Sequence, residues 1–481
     1  METRYDALYI GGAWVSPSTD RLITPVNAST EQPLGQVPDG AEADIDAAVT
    51  AARKAFDTPG GWADWEPHRR AEVMERFADA IDERSEGFAQ RVSSQNGMPI
   101  AVSRTREGHV PSIVLRYYAK LARETAFDEI RPGFFGGSTQ VRRVPVGVVA
   151  AIVPWNYPQM LSMFKLAPAM ATGCTVVLKP SPETVLDAFL LAEAAEAAGV
   201  PAGVISIVPA GREVSAYLVA HPGVDKVAFT GSTAAGRAIA ETCGRLLRPV
   251  TLELGGKSAA IILDDADLDL EKIGENLFTA TMINSGQTCH LGTRVLAPRS
   301  RYTEVVDAFT ELVRSQRIGD ALDPETRVGP LATAVQRDRV EAYIAKGLAE
   351  GGRVTTGGGR PKGQEKGWFV EPTIFADVDN NATIAREEIF GPVLSLIAYD
   401  DTDEAVRIAN DSDYGLGGSV WTADPERGAA VARRVRTGAV GINRFRADPG
   451  SPLGGFKNSG LGRELGPEGM AAYLQYQSIY L

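Results

Sequence analysis

The strongest constraint on this chain is a repeated alternation of short apolar runs with helix-like stretches. Residues 144–153, 175–178, 204–208, 226–229 and 250–252 are rich in β-branched and aliphatic side chains. Between them lie residues 160–170, 186–198, 213–220 and 234–243, with helical length and spacing. The runs are continuously apolar, not alternating, so both faces of each strand are to be covered. That pattern specifies βαβ units and a parallel sheet with helices on both sides. From residue 258 the cycle restarts. A run at 259–263 is followed by a helix over 269–283, a run at 294–297 and a helix over 302–316. Then come a helix over 335–350, a strand over 393–399 and a helix over 402–410. The expected fold class is α/β with two doubly wound parallel sheets.

The flanking regions read differently. Residues 5–40 suggest short strands and turns, including Leu8-Tyr9-Ile10 and 33–37. Residues 41–57 are Ala-rich with helical spacing, and 67–125 continue as helices with a break at Asn96-Gly97-Met98-Pro99. A Gly/Pro-rich passage spans 131–137, and residues 474–481 alternate as an edge strand would, which calls for a pairing partner. At 481 residues the chain exceeds one core, so two or more domains are expected.

Charge and composition exclude several functions. The net charge of −12 disfavours the phosphate contacts of a nucleic-acid binder. No apolar N-terminal leader and no membrane-spanning run are visible, so a cytoplasmic protein is expected. The sequons at Asn27 and Asn381 then read as chance matches. His68, His109, His221 and His290 are scattered singly, with no metal-ligand spacing, and no metal is expected.

Three cysteines form no disulfide framework. Cys174 and Cys243 sit among small and apolar neighbours and read as inert. Cys289 follows the polar, turn-prone Gly286-Gln287-Thr288. That setting suits an exposed, activated thiol and equally an idle surface one.

Parallel sheets bind ligands beyond the carboxyl ends of their strands. Lys179 directly follows one buried run. It reads either as a solvated loop lysine or as a donor to ribose or phosphate. Phe229-Thr230-Gly231-Ser232-Thr233 reads as strand, turn and helix N-terminus, where free amides favour an anion. The dinucleotide fingerprint Gly-x-Gly-x-x-Gly is absent. A P-loop is excluded because Arg237-Ala238 stands where Lys-Ser/Thr is required.

Seven separated motifs agree in order. They are Val153-Pro154-Trp155-Asn156-Tyr157-Pro158, Lys179-Pro180-Ser181-Pro182-Glu183-Thr184, Phe229–Thr233, Glu253-Leu254-Gly255-Gly256-Lys257, Gly286–Cys289, Glu387-Glu388-Ile389-Phe390-Gly391-Pro392 and Gly454–Gly460. In these the chain resembles the NAD(P)-dependent aldehyde dehydrogenase superfamily, non-acylating branch, over essentially its whole length.

The resemblance implies an NAD(P)-binding domain over 1–126 and 146–255, a catalytic domain over 256–463, and a small β oligomerisation arm over 127–145 and 464–481. It implies a homodimer or homotetramer. Cys289 corresponds to the nucleophile, Asn156 to the oxyanion donor and Glu253 to the base for the deacylating water, with Glu464 as a possible proton relay. Trp155, Lys179, Gly231, Ser232, Glu388 and Phe390 correspond to cofactor contacts. NAD is the expected cofactor. NADP stays open, because Pro182 stands where NAD-selective members often carry Glu and Glu183 follows one residue later.

The implied substrate lining is Tyr157, Met160, Leu161, Phe164, Thr288, His290 and Phe445. It suggests a medium-sized apolar or aromatic aldehyde. Arg444 and Arg446 offer an alternative, a semialdehyde held by its carboxylate. A thiol esterase would leave the cofactor constellation without a purpose, and a CoA-acylating enzyme would generally lack Glu253.

Overall fold

The computed structural model describes residues 3–481. Two large sheets organise it. In the first, the spatial order is Gly460–Leu461, Val250–Glu253, Lys226–Thr230, Val148–Ile152, Thr175–Lys179, Ile205–Ile207, Leu8–Ile10, Ala13–Val15. The five strands from Val250–Glu253 to Ile205–Ile207 run parallel, and the outer strands on both edges are antiparallel. The chain enters at Val148–Ile152, steps outward on one side, then returns to build the other. The order therefore reverses between Val148–Ile152 and Lys226–Thr230, which is where a doubly wound sheet opens a crevice.

The helices follow from local chemistry. Pro158–Thr172 is buried on nearly all sides, as its apolar composition requires, and stops at Gly173 with φ 95°. Thr233–Arg245 starts at Ser232, whose side chain accepts from the Ala235 amide.

The second sheet has the order Arg353–Thr356, Thr373–Ala376, Val393–Tyr399, Arg294–Pro298, Ala259–Ile262, Gly418–Trp421, Gly441–Ile442. Only its Arg353–Thr356 edge is antiparallel. Aliphatic clusters line both faces of both sheets. The expected α/β class with two parallel sheets is what the chain adopts.

The run at 144–153 divides. Ser138–Pro145 belongs to a separate antiparallel sheet with Asp128–Pro132 and Leu474–Tyr480, and Val148–Ile152 belongs to the first large sheet. Gly147 forms the joint, with φ 128° and the Asp225 carboxylate where a Cβ would sit. The tail strand thus finds its partner within the same chain, Leu474 opposite Pro145 through Tyr480 opposite Thr139.

Candidate active site

A cavity of about 260 Å³ opens at the point where the first sheet's strand order reverses. Pro154, Trp155 and Asn156 extend from Val148–Ile152. Thr230, Gly231 and Ser232 come from the end of the neighbouring strand, and Leu254 and Gly255 from the next. Cys289, Glu388 and Phe390 come from the second sheet's side and close the wall. Seven of the nine catalytic and cofactor candidates thus meet here, all but Glu253 and Lys179.

Cys289 is half-buried. The backbone before it is unusual: Asn284, Ser285 and Gly286 all have positive φ, at 56°, 54° and 75°. Asn and Gly accept that region readily and Ser does so less easily. Contacts around the turn hold it. Ser285 Oγ donates to the Gly329 carbonyl at 2.9 Å, and a Cβ on Gly286 would lie 2.0 Å from the Gly391 oxygen. The turn before Cys289 is thereby packed directly against the backbone of Gly391, which follows Glu388–Phe390.

Asn156 is buried. Its Nδ2 donates to the Gln287 carbonyl at 3.0 Å, and the Asn156 carbonyl accepts from Asn96 and Asn284. Tyr157 OH and Thr288 Oγ1 are 2.8 Å apart. The Trp155-Asn156-Tyr157 segment is therefore tied to the cysteine loop by three hydrogen bonds.

Glycines make the close approach possible. A Cβ on Gly255 would lie 2.3 Å from Glu388 Oε2, and one on Gly256 would lie 2.5 Å from the Cys289 carbonyl oxygen. Glu388 Oε1 accepts from the Gly256 amide at 2.9 Å.

The electrostatics favour neutral forms. Burial pushes the Cys289 thiol up to about 12, and the nearby Glu388 and Glu253 carboxylates push the same way. Burial raises Glu388 to about 7, against the Gly256 amide and the charges of Lys257 and Arg339. Glu253 stands well above the usual carboxylate range because it is buried and faces Glu464. Glu253 Oε1 is buried without a hydrogen-bond partner, an acceptor left for water or substrate. Behind it, Lys165 Nζ donates to Thr230 Oγ1 and to Glu464 Oε1, both at 2.7 Å.

Lys179 lies off this cavity. It ends the Thr175–Lys179 strand, is buried, and reaches the Ala210 carbonyl at 3.5 Å. Burial lowers it to about 8, opposed by Glu183. Glu183 in turn accepts from Ser181 Oγ.

On the far side of Cys289, the His290 ring stacks on Phe445 at 4.4 Å. Phe164 and Leu161 are buried beside Tyr157 in the first sheet's core, with Met160 packed against it. None of the substrate candidates lines the 260 Å³ cavity. Arg444 and Arg446 are exposed, and Arg446 with Phe445 borders a separate hollow.

Two lining residues escaped the sequence reading, Gln336 and Arg339 of helix Ala334–Ala349. Gln336 Nε2 donates to the Phe390 carbonyl at 2.7 Å and Arg339 Nη2 to the Glu388 carbonyl at 2.6 Å. Their spacing of three on one helix face was the only signal.

Fold and cleft together define a two-sheet α/β enzyme with a thiol at the mouth of a dinucleotide-type crevice. The model of the aldehyde dehydrogenase family matches residues 14–479, and the chain belongs to that family, whose members oxidise aldehydes. It is 54% identical to the geranial dehydrogenase of Castellaniella defragrans, over 100% of both chains. It superposes with TM-score 0.97 and 48% identity on a Mycobacterium tuberculosis aldehyde dehydrogenase complexed with NAD+, covering 100% of this chain and 99% of that one. A mutant aldehyde dehydrogenase C from Pseudomonas syringae, complexed with NAD+ and octanal, gives TM-score 0.94 and 40% identity, covering 99% and 96%.

Proposed function

We propose that this enzyme oxidises a medium-sized apolar aldehyde to its carboxylic acid, with NAD as hydride acceptor. The observation that carries the reading is the convergence of Cys289, Asn156, Glu388 and Phe390 on one cleft at the first sheet's switch point. The names of two relatives, geranial dehydrogenase and an octanal complex, support the apolar substrate, as do Tyr157, Met160, Phe164, Thr288, His290 and Phe445 beyond the cysteine.

The residues present fit the dinucleotide. Ser232 starts a helix whose first amides are free, Gly231 and Gly255 add no side chain to the wall, and Glu388 offers a half-buried carboxylate to ribose hydroxyls. Trp155 and Phe390, packed edge to face at 5.4 Å, would flank the ring. Glu183, whose charge reaches Lys179, would oppose a 2′-phosphate held by that lysine, which favours NAD over NADP. The chemistry the cofactor supplies when bound is acceptance of the hydride from the substrate carbon.

The protein's own residues do the rest. The Cys289 thiol gives its proton to Glu253, which passes it to solvent, as its sulfur adds to the aldehyde carbon and gives a thiohemiacetal. The Asn156 amide and the Cys289 N–H stabilise the developing oxyanion, a contribution of about 3 kcal/mol per donor. Loss of hydride leaves a thioester on Cys289. Glu253 then takes a proton from water, which attacks the thioester and releases the acid and the thiol. Its raised proton affinity suits a base working near neutrality.

For organisation, residues up to 126 with 146–255 serve the cofactor, 256–463 carry the chemistry, and 127–145 with 464–481 form an oligomerisation arm. The arm exposes Ile130, Phe134, Phe135, Tyr476 and Tyr480. That apolar surface supports a homodimer or homotetramer, to be read from light scattering behind size exclusion. Three free cysteines and the absence, among the described residues, of any helix long and apolar enough to cross a membrane support a cytoplasmic setting.

The test is NADH formation with geranial, octanal and a carboxylated semialdehyde, with Cys289→Ala alongside. NAD reduction with the apolar aldehydes and none in the variant is expected. Preference for the semialdehyde would overturn the substrate reading, and full activity of the variant would overturn the mechanism.

A further inference from the structure

Behind Asn156 lies a buried polar cluster that the chemistry above does not use. The helix Pro158–Thr172 begins two residues after Asn156. Its first turn is gripped by Gln159, whose backbone N–H donates to Glu107 Oε2 at 2.7 Å and whose Nε2 donates to Asp187 Oδ2 at 2.5 Å. Asp187 also accepts from Gln95 Nε2 at 2.9 Å. Glu107 comes from a six-residue π-helical turn, Arg104–His109, inserted before the helix Val110–Glu124. Such turns cost regularity and concentrate at functional sites. Glu107 and Asp187 are wholly inaccessible to solvent.

Two oxygens in this cluster lack partners: Glu107 Oε1 and Gln159 Oε1, both buried. They belong to residues already joined by a hydrogen bond. The donation of Nε2 to Asp187 fixes which way the Gln159 amide faces, so its oxygen is the acceptor left over. Two bare buried acceptors on hydrogen-bonded neighbours are costly, and a single proton on Glu107, shared with the Gln159 oxygen, would satisfy both.

We propose that Glu107 is a positioning residue for the oxyanion side of the site: as the neutral acid it donates to Gln159 Oε1 while accepting from Gln159 N–H. It thereby fixes the turn that carries Asn156 and Tyr157. This rests on the reading of Asn156 as oxyanion donor.

The charges that face Glu107 are Asp187, from helix Leu186–Ala197, and Arg106, from its own turn. Helix Pro158–Thr172 brings only the amides of Gln159 and Met160, and Arg91 faces Asp187. Burial dominates and lifts Glu107 to about 8, while Asp187 reaches about 6. One proton therefore resides on Glu107 at neutral pH, and Asp187 holds the charge with two amide donors.

The test compares Glu107→Gln, Glu107→Ala and Asn156→Ala with the wild type. Glutamine reproduces both hydrogen bonds without a titratable proton. Glu107→Ala is expected to lower kcat about tenfold while leaving the KM for NAD unchanged, and Glu107→Gln to restore most of it. As pH rises through about 8 the wild type loses kcat by this group and the glutamine variant does not.

A second readout is independent of catalysis. A carboxyl raised on folding loses stability as pH climbs from its unfolded value to its folded one. The wild-type melting temperature should therefore fall relative to Glu107→Gln between pH 5 and about 8, then run parallel. Identical pH profiles of rate and melting in both proteins would overturn the proposal. If Asn156→Ala keeps full acylation, the oxyanion reading falls, while the melting comparison still decides where the proton sits.

Discussion

Lys165 Nζ lies 2.7 Å from Glu464 Oε1 with both side chains buried, and their ion pair joins helix Pro158–Thr172 to a segment 299 residues further on. Removing one partner of such a pair leaves a bare charge in the core, at about 3 kcal/mol or more. Glu464→Gln should lower the melting temperature accordingly. It should also drop the proton affinity of Glu253, whose elevation comes from burial first and Glu464 second. The acidic limb of the deacylation rate then moves to lower pH. A limb that stays in place would show that Glu464 does not act on Glu253.

The Cys289 thiol offers a direct probe of the free enzyme. Burial, then Glu388 and Glu253, hold it near 12, so iodoacetamide should react slowly at neutral pH. The rate should climb about tenfold per pH unit through the alkaline range, in step with the thiolate fraction. Glu388→Gln removes one repelling charge and should accelerate alkylation at fixed pH. Alkylation independent of pH would mean that the thiol is already ionised.

Gly286 has both a positive φ and no room. A methyl there would sit 2.0 Å from the Gly391 carbonyl oxygen. Gly286→Ala should cost more than about 2 kcal/mol and abolish activity by parting the cysteine loop from the Glu388 loop. Gly199, also at positive φ but with nothing within 4 Å, is the control. Its alanine variant should lose only about 1 kcal/mol and keep full turnover.

Arg339 bonds the Glu388 carbonyl from a helix that carries no catalytic group. Arg339→Ala should raise the KM for NAD about tenfold and leave Cys289 alkylation unchanged. A fall in kcat without a change in KM would place its role in the chemistry.

Much of the fold could be read because buried parallel strands have to be continuous apolar runs. The strands Val393–Tyr399 and Val148–Ile152 are recognisable for that reason, and the helix Thr402–Asn410 by its buried Ala405, Val406, Ile408 and Ala409 at helical spacing. Strands Thr373–Ala376 and Gly418–Trp421 escaped because Glu371-Pro372 and Asp377 bracket the first and Gly415, Gly417 and Gly418 interrupt the second, so neither stands out as an apolar run. At the site, Cys289, Asn156 and Glu388 were visible through their motifs. Glu107, Gln159, Gln336 and Arg339 were not. A glutamate in a charged stretch such as Arg104-Thr105-Arg106-Glu107 reads as solvated, and only the three-dimensional packing takes it out of water. Lys165 hid in the opposite way, as the one charged residue in a mostly apolar helix.

The Lys165–Glu464 pair also sets an order on biosynthesis. A ribosome delivers Lys165 with the heart of the first sheet and Glu464 only after 299 further residues. Throughout that interval the nascent sheet holds an uncompensated cation where its core must close, and its Gly460–Leu461 edge strand does not yet exist. The cleft is therefore completed late. A polypeptide that stops short of Glu464 would have most of the apolar residues of a core but lack the carboxylate that lets Lys165 be buried.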